Sequence, residues 1–111
     1  MPRSVLIVDD HEGFRLAARA LLEAGGFVVV GDAATAAEAV AAVDRLRPDV
    51  VLLDIQLPGL DGFAVAARLS GPAEIVFVSS RDAATYGPRL KNARFLPKHE
   101  LSGAALRDLL G

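Results

Sequence analysis

The chain has 111 residues, enough for one ordinary domain, and we expect a single domain over residues 1–111. Hydrophobic residues make up 52% of it, so a buried core can form and disorder is excluded. The net charge of −2 offers no basic surface for direct nucleic-acid binding or for an anionic membrane. The lack of cysteine excludes disulfides and thiolate sites, and it fits a cytoplasmic protein. No apolar run is long enough for a signal peptide or a membrane span.

Five short apolar runs, rich in β-branched residues, predict strands that are covered on both faces. They are Val5–Val8, Phe27–Val30, Val50–Leu53, Ile75–Val78 and Phe95–Leu96. Stretches with helical spacing of apolar residues separate them. This alternation predicts a parallel sheet with right-handed crossovers. Five such units in a chain of this length favour a flavodoxin-like, doubly wound α/β fold with strand order 2-1-3-4-5.

Local signals predict where the helices begin and end. Two glycines at positions 25–26 end the first helix. Thr35, followed three residues later by Glu38, predicts a capping box at the start of the second helix. Asp61 and Ser102 are the expected caps of the third helix and of the last one.

The segment from Arg81 to Asn92 carries the weakest helical signal. Gly87 and Pro88 lie in its middle, so we expect a short or broken fourth helix there.

Polar side chains follow four of the five apolar runs. In chain order they are Asp9 and Asp10, Asp54, Ser79 and Ser80, and Lys98. In a doubly wound sheet, ligands bind beyond the carboxyl ends of the strands, and the first, third, fourth and fifth strands are neighbours. We therefore expect these side chains to converge on one edge of the sheet.

The chemistry of this set points to a cation and a phosphoryl group. Carboxylates held close together repel one another unless a cation neutralises them. Oxygen ligands suit a hard cation, Mg²⁺ before Ca²⁺. A lysine and a hydroxyl complete a phosphate site, because the ammonium offsets charge and the hydroxyl donates a hydrogen bond. A carboxylate in such a site can attack phosphorus and form an acyl phosphate.

Four sequence blocks resemble the successive signatures of the receiver domain of two-component systems. They are VLIVDDHEGFR, VVLLDIQLPGLDGF, IVFVSSRD and FLPKHEL, in the family's order and over nearly the whole chain. The DDHE block and the FLPK ending are most similar to receivers of the LuxR/NarL-like branch.

The resemblance implies roles at the predicted edge of the sheet. Asp54 would be the phosphoacceptor, and Lys98 would pair with the phosphoryl oxygens. Four groups would bind Mg²⁺: the side chains of Asp9, Asp10 and Asp54, and the backbone carbonyl of Gln56.

The resemblance also implies a switch. Ser79 would reach the phosphoryl group and move on activation, and Phe95 occupies the position of the family's switch aromatic. Pro97 falls where a cis peptide bond is frequent in the family. Gln56 and Arg81 match variable positions that tune dephosphorylation in relatives.

The implied function is a signalling switch and not an enzyme in its own right. A histidine kinase would donate the phosphoryl group in a Mg²⁺-dependent reaction, and the interaction surface would then change. Further expected partners are a DNA-binding output domain outside this chain and a second copy in a phosphorylation-dependent homodimer. No direct binding to nucleic acid or membrane is expected.

The same residues also fit simpler roles, and two further classes of protein use similar sites. Asp9 and Asp10 are also typical of a helix cap, Asp54 of a turn, Lys98 of a solvated surface and Phe95 of a core. The chain could be a degenerate receiver that acts as a phosphorylation-independent interaction module. A Mg²⁺-dependent phosphatase is disfavoured, since the usual second Asp two residues after the nucleophile is replaced by glutamine. A flavin or nucleotide binder is disfavoured by the acidic loops.

Overall fold

The main sheet has five parallel strands in the predicted order. The structure is a computed structural model that describes residues 2–91 and 93–111. Its sheet strands are β1 (Ser4–Val8), β2 (Val28–Ala33), β3 (Val50–Asp54), β4 (Glu74–Ser79) and β5 (Arg94–Pro97). Every pairing in this sheet is parallel, and the strands lie in the order β2-β1-β3-β4-β5. The flavodoxin-like, doubly wound prediction is therefore confirmed.

In the part of the chain that the structure describes, four α-helices cover the two faces of the sheet. They are α1 (Glu12–Ala24), α2 (Ala36–Leu46), α3 (Gly62–Arg68) and α4 (Gly103–Leu110). Alternate strand residues face opposite cores: Ile7 packs with the side chains of α1 and α4, whereas Leu6 and Val8 pack with those of α2 and α3. Both faces are buried, which explains why the strand sequences are apolar without interruption. Within the described ranges, no helix combines the length and apolar character of a membrane span.

The predicted helix caps are present. The Thr35 side chain accepts a hydrogen bond from the backbone N–H of Glu38 at 3.1 Å, and Glu38 Oε1 accepts one from Ala34 at 2.9 Å. Asp61 and Ser102 each accept a hydrogen bond from the backbone N–H three residues later, at 2.9 and 3.0 Å. Each such cap stabilises its helix by about 1 kcal/mol.

The region expected to hold a short or broken fourth helix contains no α-helix among its described residues. It forms two 3₁₀ turns, Ala83–Thr85 and Gly87–Arg89. Gly87 has a positive φ of 52°, which interrupts any continuous helix. Asn92, the last residue of the predicted segment, lies outside the described residues. Below, this part of the chain is called the 81–91 segment.

A small hairpin follows β3 and was not predicted. Gln56–Leu57 pairs antiparallel with Leu60–Asp61 across Pro58 and Gly59. Gly59 has a φ of 76°, and a proline followed by a left-handed glycine is typical of a type II turn. The hairpin returns the chain to the carboxyl end of β3, where α3 begins.

Candidate functional site

The carboxylates that follow β1 and β3 meet at one edge of the sheet, as the sequence predicts. Asp9, Asp10, His11 and Asp54 each offer a ligand atom, and these atoms lie within 4.8 Å of one another. The side chains of Asp9 and Asp54 are 0% and 3% exposed, and that of Asp10 is 28% exposed. We call Asp9, Asp10, Asp54 and Lys98 the acidic pocket.

Lys98 brings a positive charge to this pocket from the end of β5. Its Nζ lies 2.5 Å from Asp9 Oδ2 and 3.4 Å from Asp54 Oδ2. The contact with Asp9 is an ion pair. The ammonium also lies 4.4 Å from the centre of the Phe14 ring. One ammonium cannot balance three carboxylates, so the pocket keeps an excess of negative charge.

Asp54 is held as a charged group at a cost in free energy. Burial raises the pKa of Asp54 to about 6, and the negative charge of Asp9 adds to the rise. The backbone N–H of Gln56, 3.0 Å from Oδ1, and the ammonium of Lys98 act in the opposite direction. At neutral pH the carboxylate is thus ionised but shielded from water, which suits a nucleophile.

The donor set fits a hard divalent cation. Oδ1 of Asp10 is buried, and no described residue donates a hydrogen bond to it, although His11 Nδ1 is 3.3 Å away. An unsatisfied buried carboxylate oxygen is costly unless a cation meets it. Carboxylate oxygens from three residues are the ligands that Mg²⁺ prefers. The Gln56 N–H bonds to Asp54, and the expected role of the Gln56 carbonyl stays a prediction.

His11 marks the start of α1, where it forms the N-cap. Its backbone N–H donates to Asp9 Oδ1 at 2.8 Å, and its Nδ1 lies 3.2 Å from the same oxygen. One oxygen of Asp9 therefore fixes the turn into α1, while the other faces Lys98.

Arg15 supports the site and was not predicted from the sequence. Its guanidinium donates to the backbone carbonyl of Asp9 at 2.7 Å and pairs with Asp32 at 3.0 Å. The arginine thus ties the ends of β1 and β2 together beneath the acidic pocket. No local pattern signals this role, because it depends on three segments that meet only in the fold.

Ser79 is buried at the end of β4, and its hydroxyl bonds to residues other than Asp54. Its Oγ lies 2.6 Å from the hydroxyl of Tyr86 and accepts the backbone N–H of Arg81 at 3.0 Å. Among the described residues, no hydrogen bond joins Ser79 to Asp54. The position of Tyr86 beside the site was not predicted from the sequence.

Phe95 and Pro97 lie on β5 beside the pocket. The Phe95 ring is partly exposed, and its centre is 6.1 Å from that of Tyr86. The family resemblance implied a cis peptide bond at Pro97, and this expectation is wrong, because no described peptide bond is cis.

The parallel sheet and the acidic edge define a response-regulator receiver. The family model of the response regulator receiver domain matches residues 5–98. The chain therefore belongs to this family, whose members act in two-component signalling.

Relatives from the LuxR/NarL-like branch confirm the finer resemblance. The signal receiver domain of NarL from Mycobacterium tuberculosis is 32% identical, with a TM-score of 0.76 over 99% of this chain and 98% of that one. A LuxR-family response regulator from Aurantimonas sp. SI85-9A1 is 27% identical, with a TM-score of 0.85 over 100% and 87%. BvgA of Bordetella pertussis, described as a positive transcription regulator of virulence factors, is 35% identical over 106 residues. That match covers 90% of this chain and 51% of BvgA, and the chain spans about half the length of the curated relatives it matches.

Proposed function

We propose that this chain is a phosphorylation-dependent switch that accepts a phosphoryl group on Asp54 from a histidine kinase. The observation that carries the proposal is the surroundings of Asp54. Its carboxylate is buried, bears a raised pKa, and lies 3.4 Å from the ammonium of Lys98 within a cluster of acids. Such a group is both a nucleophile and part of a cation site.

The proposed reaction transfers the group by in-line displacement. A carboxylate oxygen of Asp54 attacks phosphorus and forms a P–O bond, while the P–N bond of the kinase phosphohistidine breaks. The imidazole leaves with the electron pair of that bond and takes up a proton. The product is an acyl phosphate on Asp54.

The residues around Asp54 have separate tasks in this scheme. Lys98 offsets the negative charge of the phosphoryl oxygens, and Asp9 holds the lysine in place through the 2.5 Å ion pair. Mg²⁺, held by Asp9, Asp10, Asp54 and the Gln56 carbonyl, would supply the further positive charge that the transferred group requires. Little other machinery is needed, because loose phosphoryl transfer depends mainly on position and charge.

The output follows from a change in charge at the pocket. Ser79 would move toward the phosphoryl group, Phe95 would turn inward, and the surface formed by the 81–91 segment, β5 and α4 would change. Moving a population from 1:99 to 99:1 requires about 5.5 kcal/mol of preference for the active state. A few charge-assisted hydrogen bonds of about 1.5–3 kcal/mol each can provide it.

The proposed partners and location follow from the family. The similarity to a LuxR-family response regulator and to the transcription regulator BvgA supports a DNA-binding output domain outside this chain. A homodimer that forms on phosphorylation stays a prediction. A cytoplasmic location stays a prediction.

The decisive experiment is labelling of the purified chain with acetyl phosphate, followed by intact mass. Wild type is expected to gain one phosphoryl group when Mg²⁺ is present and none in excess chelator. Asp54→Asn is expected to gain nothing, whereas Asp44→Asn, at an exposed position on α2, is labelled like wild type. Stoichiometric labelling of Asp54→Asn would refute the assignment. An unlabelled wild type would favour the phosphorylation-independent interaction module.

A further inference from the structure

The hydroxyl that the proposed switch requires is already bonded in the unphosphorylated protein. Ser79 is fully buried, and its Oγ lies 2.6 Å from the Tyr86 hydroxyl. The same oxygen accepts the backbone N–H of Arg81 at 3.0 Å. Both partners belong to the 81–91 segment, so this segment engages the serine hydroxyl before any phosphoryl group is present.

Packing fixes the direction of the Tyr86 hydroxyl. The tyrosine ring lies between Phe63 of α3 and Phe95 of β5, with centres 6.2 and 6.1 Å apart. The guanidinium of Arg89 lies 4.3 Å from the centre of the Phe63 ring and covers it. Aromatic contacts on two sides leave the ring little freedom, and its hydroxyl is directed at Ser79.

The rest of the 81–91 segment is held more loosely. Leu90 is buried, but the residues at 81–85 and 87–89 are exposed. The ion pair between Arg89 and Asp61, at 2.6 Å, has side chains that are 53% and 41% exposed, so it contributes little. The contact between Ser79 and Tyr86 is therefore a principal polar link between this segment and the sheet.

We propose that Tyr86 is the positioning residue of Ser79 and controls when the serine can act. In the unphosphorylated protein the phenol retains the Ser79 hydroxyl. The serine can reach a phosphoryl group on Asp54 only after that bond opens, and opening it releases the 81–91 segment. The inference rests on the proposed function and adds two features to it. The bond to Tyr86 is a restraint that opposes phosphorylation, and its opening is a route by which phosphorylation changes the surface.

The first test removes one oxygen atom. Tyr86→Phe keeps the ring and its packing but cannot bond to Ser79. The initial rate of labelling by acetyl phosphate with Mg²⁺ is expected to rise about two- to tenfold, the factor that one hydrogen bond is worth. Thr85→Val is the matched control, because it removes a hydroxyl of the same segment that bonds to the exposed Asp82, and it should leave the rate unchanged.

A double-mutant cycle separates this role from a purely structural one. In a Ser79→Ala background, labelling is slower, and Tyr86→Phe is expected to have no further effect, because the restrained hydroxyl is gone. An equal rate increase in both backgrounds would overturn the proposal, as would an unchanged rate in Tyr86→Phe alone. If wild type is not labelled, the proposed function fails and this inference fails with it. Normal labelling without an effect of Tyr86→Phe contradicts this inference alone.

The chain carries its own reporter for the release step. Tyr86 is the only tyrosine, and there is no tryptophan, so intrinsic emission arises from this ring. Labelling of wild type is expected to change the tyrosine emission. Labelled Ser79→Ala and unlabelled Asp54→Asn should show no such change under the same conditions. Constant emission in fully labelled wild type would contradict the release of Tyr86.

Discussion

Asp54 illustrates how a single residue connects stability and reactivity. The β3 strand buries its carboxylate, and the nearby charge of Asp9 makes ionisation harder still. Lys98 and the Gln56 N–H only partly compensate, because the pKa of Asp54 stays raised at about 6. The folded state thus disfavours the charged form of the carboxyl group that, in the proposed reaction, would attack phosphorus.

A measurable dependence of stability on pH follows. The pKa of Asp54 rises from 3.8 to about 6 on folding, so the folded state binds this proton more tightly. The contribution of Asp54 to the free energy of unfolding is fully present below the unfolded-state pKa of 3.8, and it is lost as the pH rises through about 6. The loss is about 3 kcal/mol, because each unit of pKa shift corresponds to ~1.36 kcal/mol. In metal-free buffer, Asp54→Asn should be more stable than wild type near pH 7, and the two should converge near pH 4.

Urea unfolding at a series of pH values checks this prediction, since the difference between the two proteins reports the removal of the Asp54 carboxyl group. A parallel pH dependence of both free energies of unfolding would show that the burial of Asp54 is not costly. Asp44→Asn serves as the control, because its carboxylate is exposed.

Strand register made most of the pocket predictable at the residue scale. Asp9, Asp54 and Lys98 each follow a buried strand, and parallel strands place such residues at one edge. The direction of the Ser79 side chain was not predictable, because its partner Tyr86 comes from an irregular segment without periodicity. The link from Arg15 to the Asp9 carbonyl was not predictable either, because it depends on a tertiary contact.

At the level of elements, the start of α3, which follows the hairpin, packs closely against the backbone of Asp54. The Gly62 N–H donates to the carbonyl of Ile55 at 2.6 Å. A Cβ at residue 62 would lie 2.5 Å from the Asp54 carbonyl oxygen and 2.7 Å from the Ile55 Cα. Only glycine fits there, so the hairpin sets the position of Asp54, the proposed phosphoacceptor, as well as the start of α3.

We expect Gly62→Ala to displace the end of β3. The new methyl group must push the backbone of Asp54 aside, at about 1–3 kcal/mol in unfolding free energy. Labelling of Asp54 should slow as well, because transfer is sensitive to position. Gly13→Ala is the control: a Cβ there meets nothing within 4 Å, and alanine favours a helix over glycine by about 1 kcal/mol. Unfolding and labelling rates like those of wild type in Gly62→Ala would contradict the contact.

Capping residues predicted the helix starts well, but the sequence did not predict the hairpin. Thr35, Asp61 and Ser102 act within one helical turn, so a local pattern suffices. The hairpin strands are two residues long each, too short for an alternation of side chains to be visible. The lack of a continuous α-helix in the described residues of the 81–91 segment was predictable, because Gly87 and Pro88 disfavour one locally.

For the whole molecule, the two edges of the sheet have different tasks. The carboxyl edge concentrates charge at the acidic pocket, whereas contacts at the opposite edge join neighbouring strands. There, the N–H of Ser4 donates to the Asp49 carboxylate at 2.8 Å, which joins β1 to the start of β3. Substitutions that disrupt contacts at the opposite edge should therefore lower the free energy of unfolding without changing the chemistry of the acidic pocket.

The contact between α1 and α4 provides the test of this division. The sequence predicted that Gly25 ends α1, which it does, but its φ of −87° is open to any residue. What requires glycine is close packing: a Cβ on Gly25 would lie 2.5 Å from the Cα of Gly103, and the reverse contact is equally short. Gly25→Ala and Gly103→Ala should each lower the free energy of unfolding by about 1–3 kcal/mol.

The double variant should cost less than the sum of the two single ones, because the first methyl group already separates the helices. All three proteins should be labelled at Asp54 at the wild-type rate under conditions where they are folded. The reason is that Gly25 follows the last turn of α1, whereas Asp9 and Asp10 of the pocket precede the first turn. Urea unfolding and intact-mass labelling measure the two quantities on the same samples. Slower labelling of a folded Gly25→Ala protein would show instead that helix packing at the far edge is coupled to the pocket through α1.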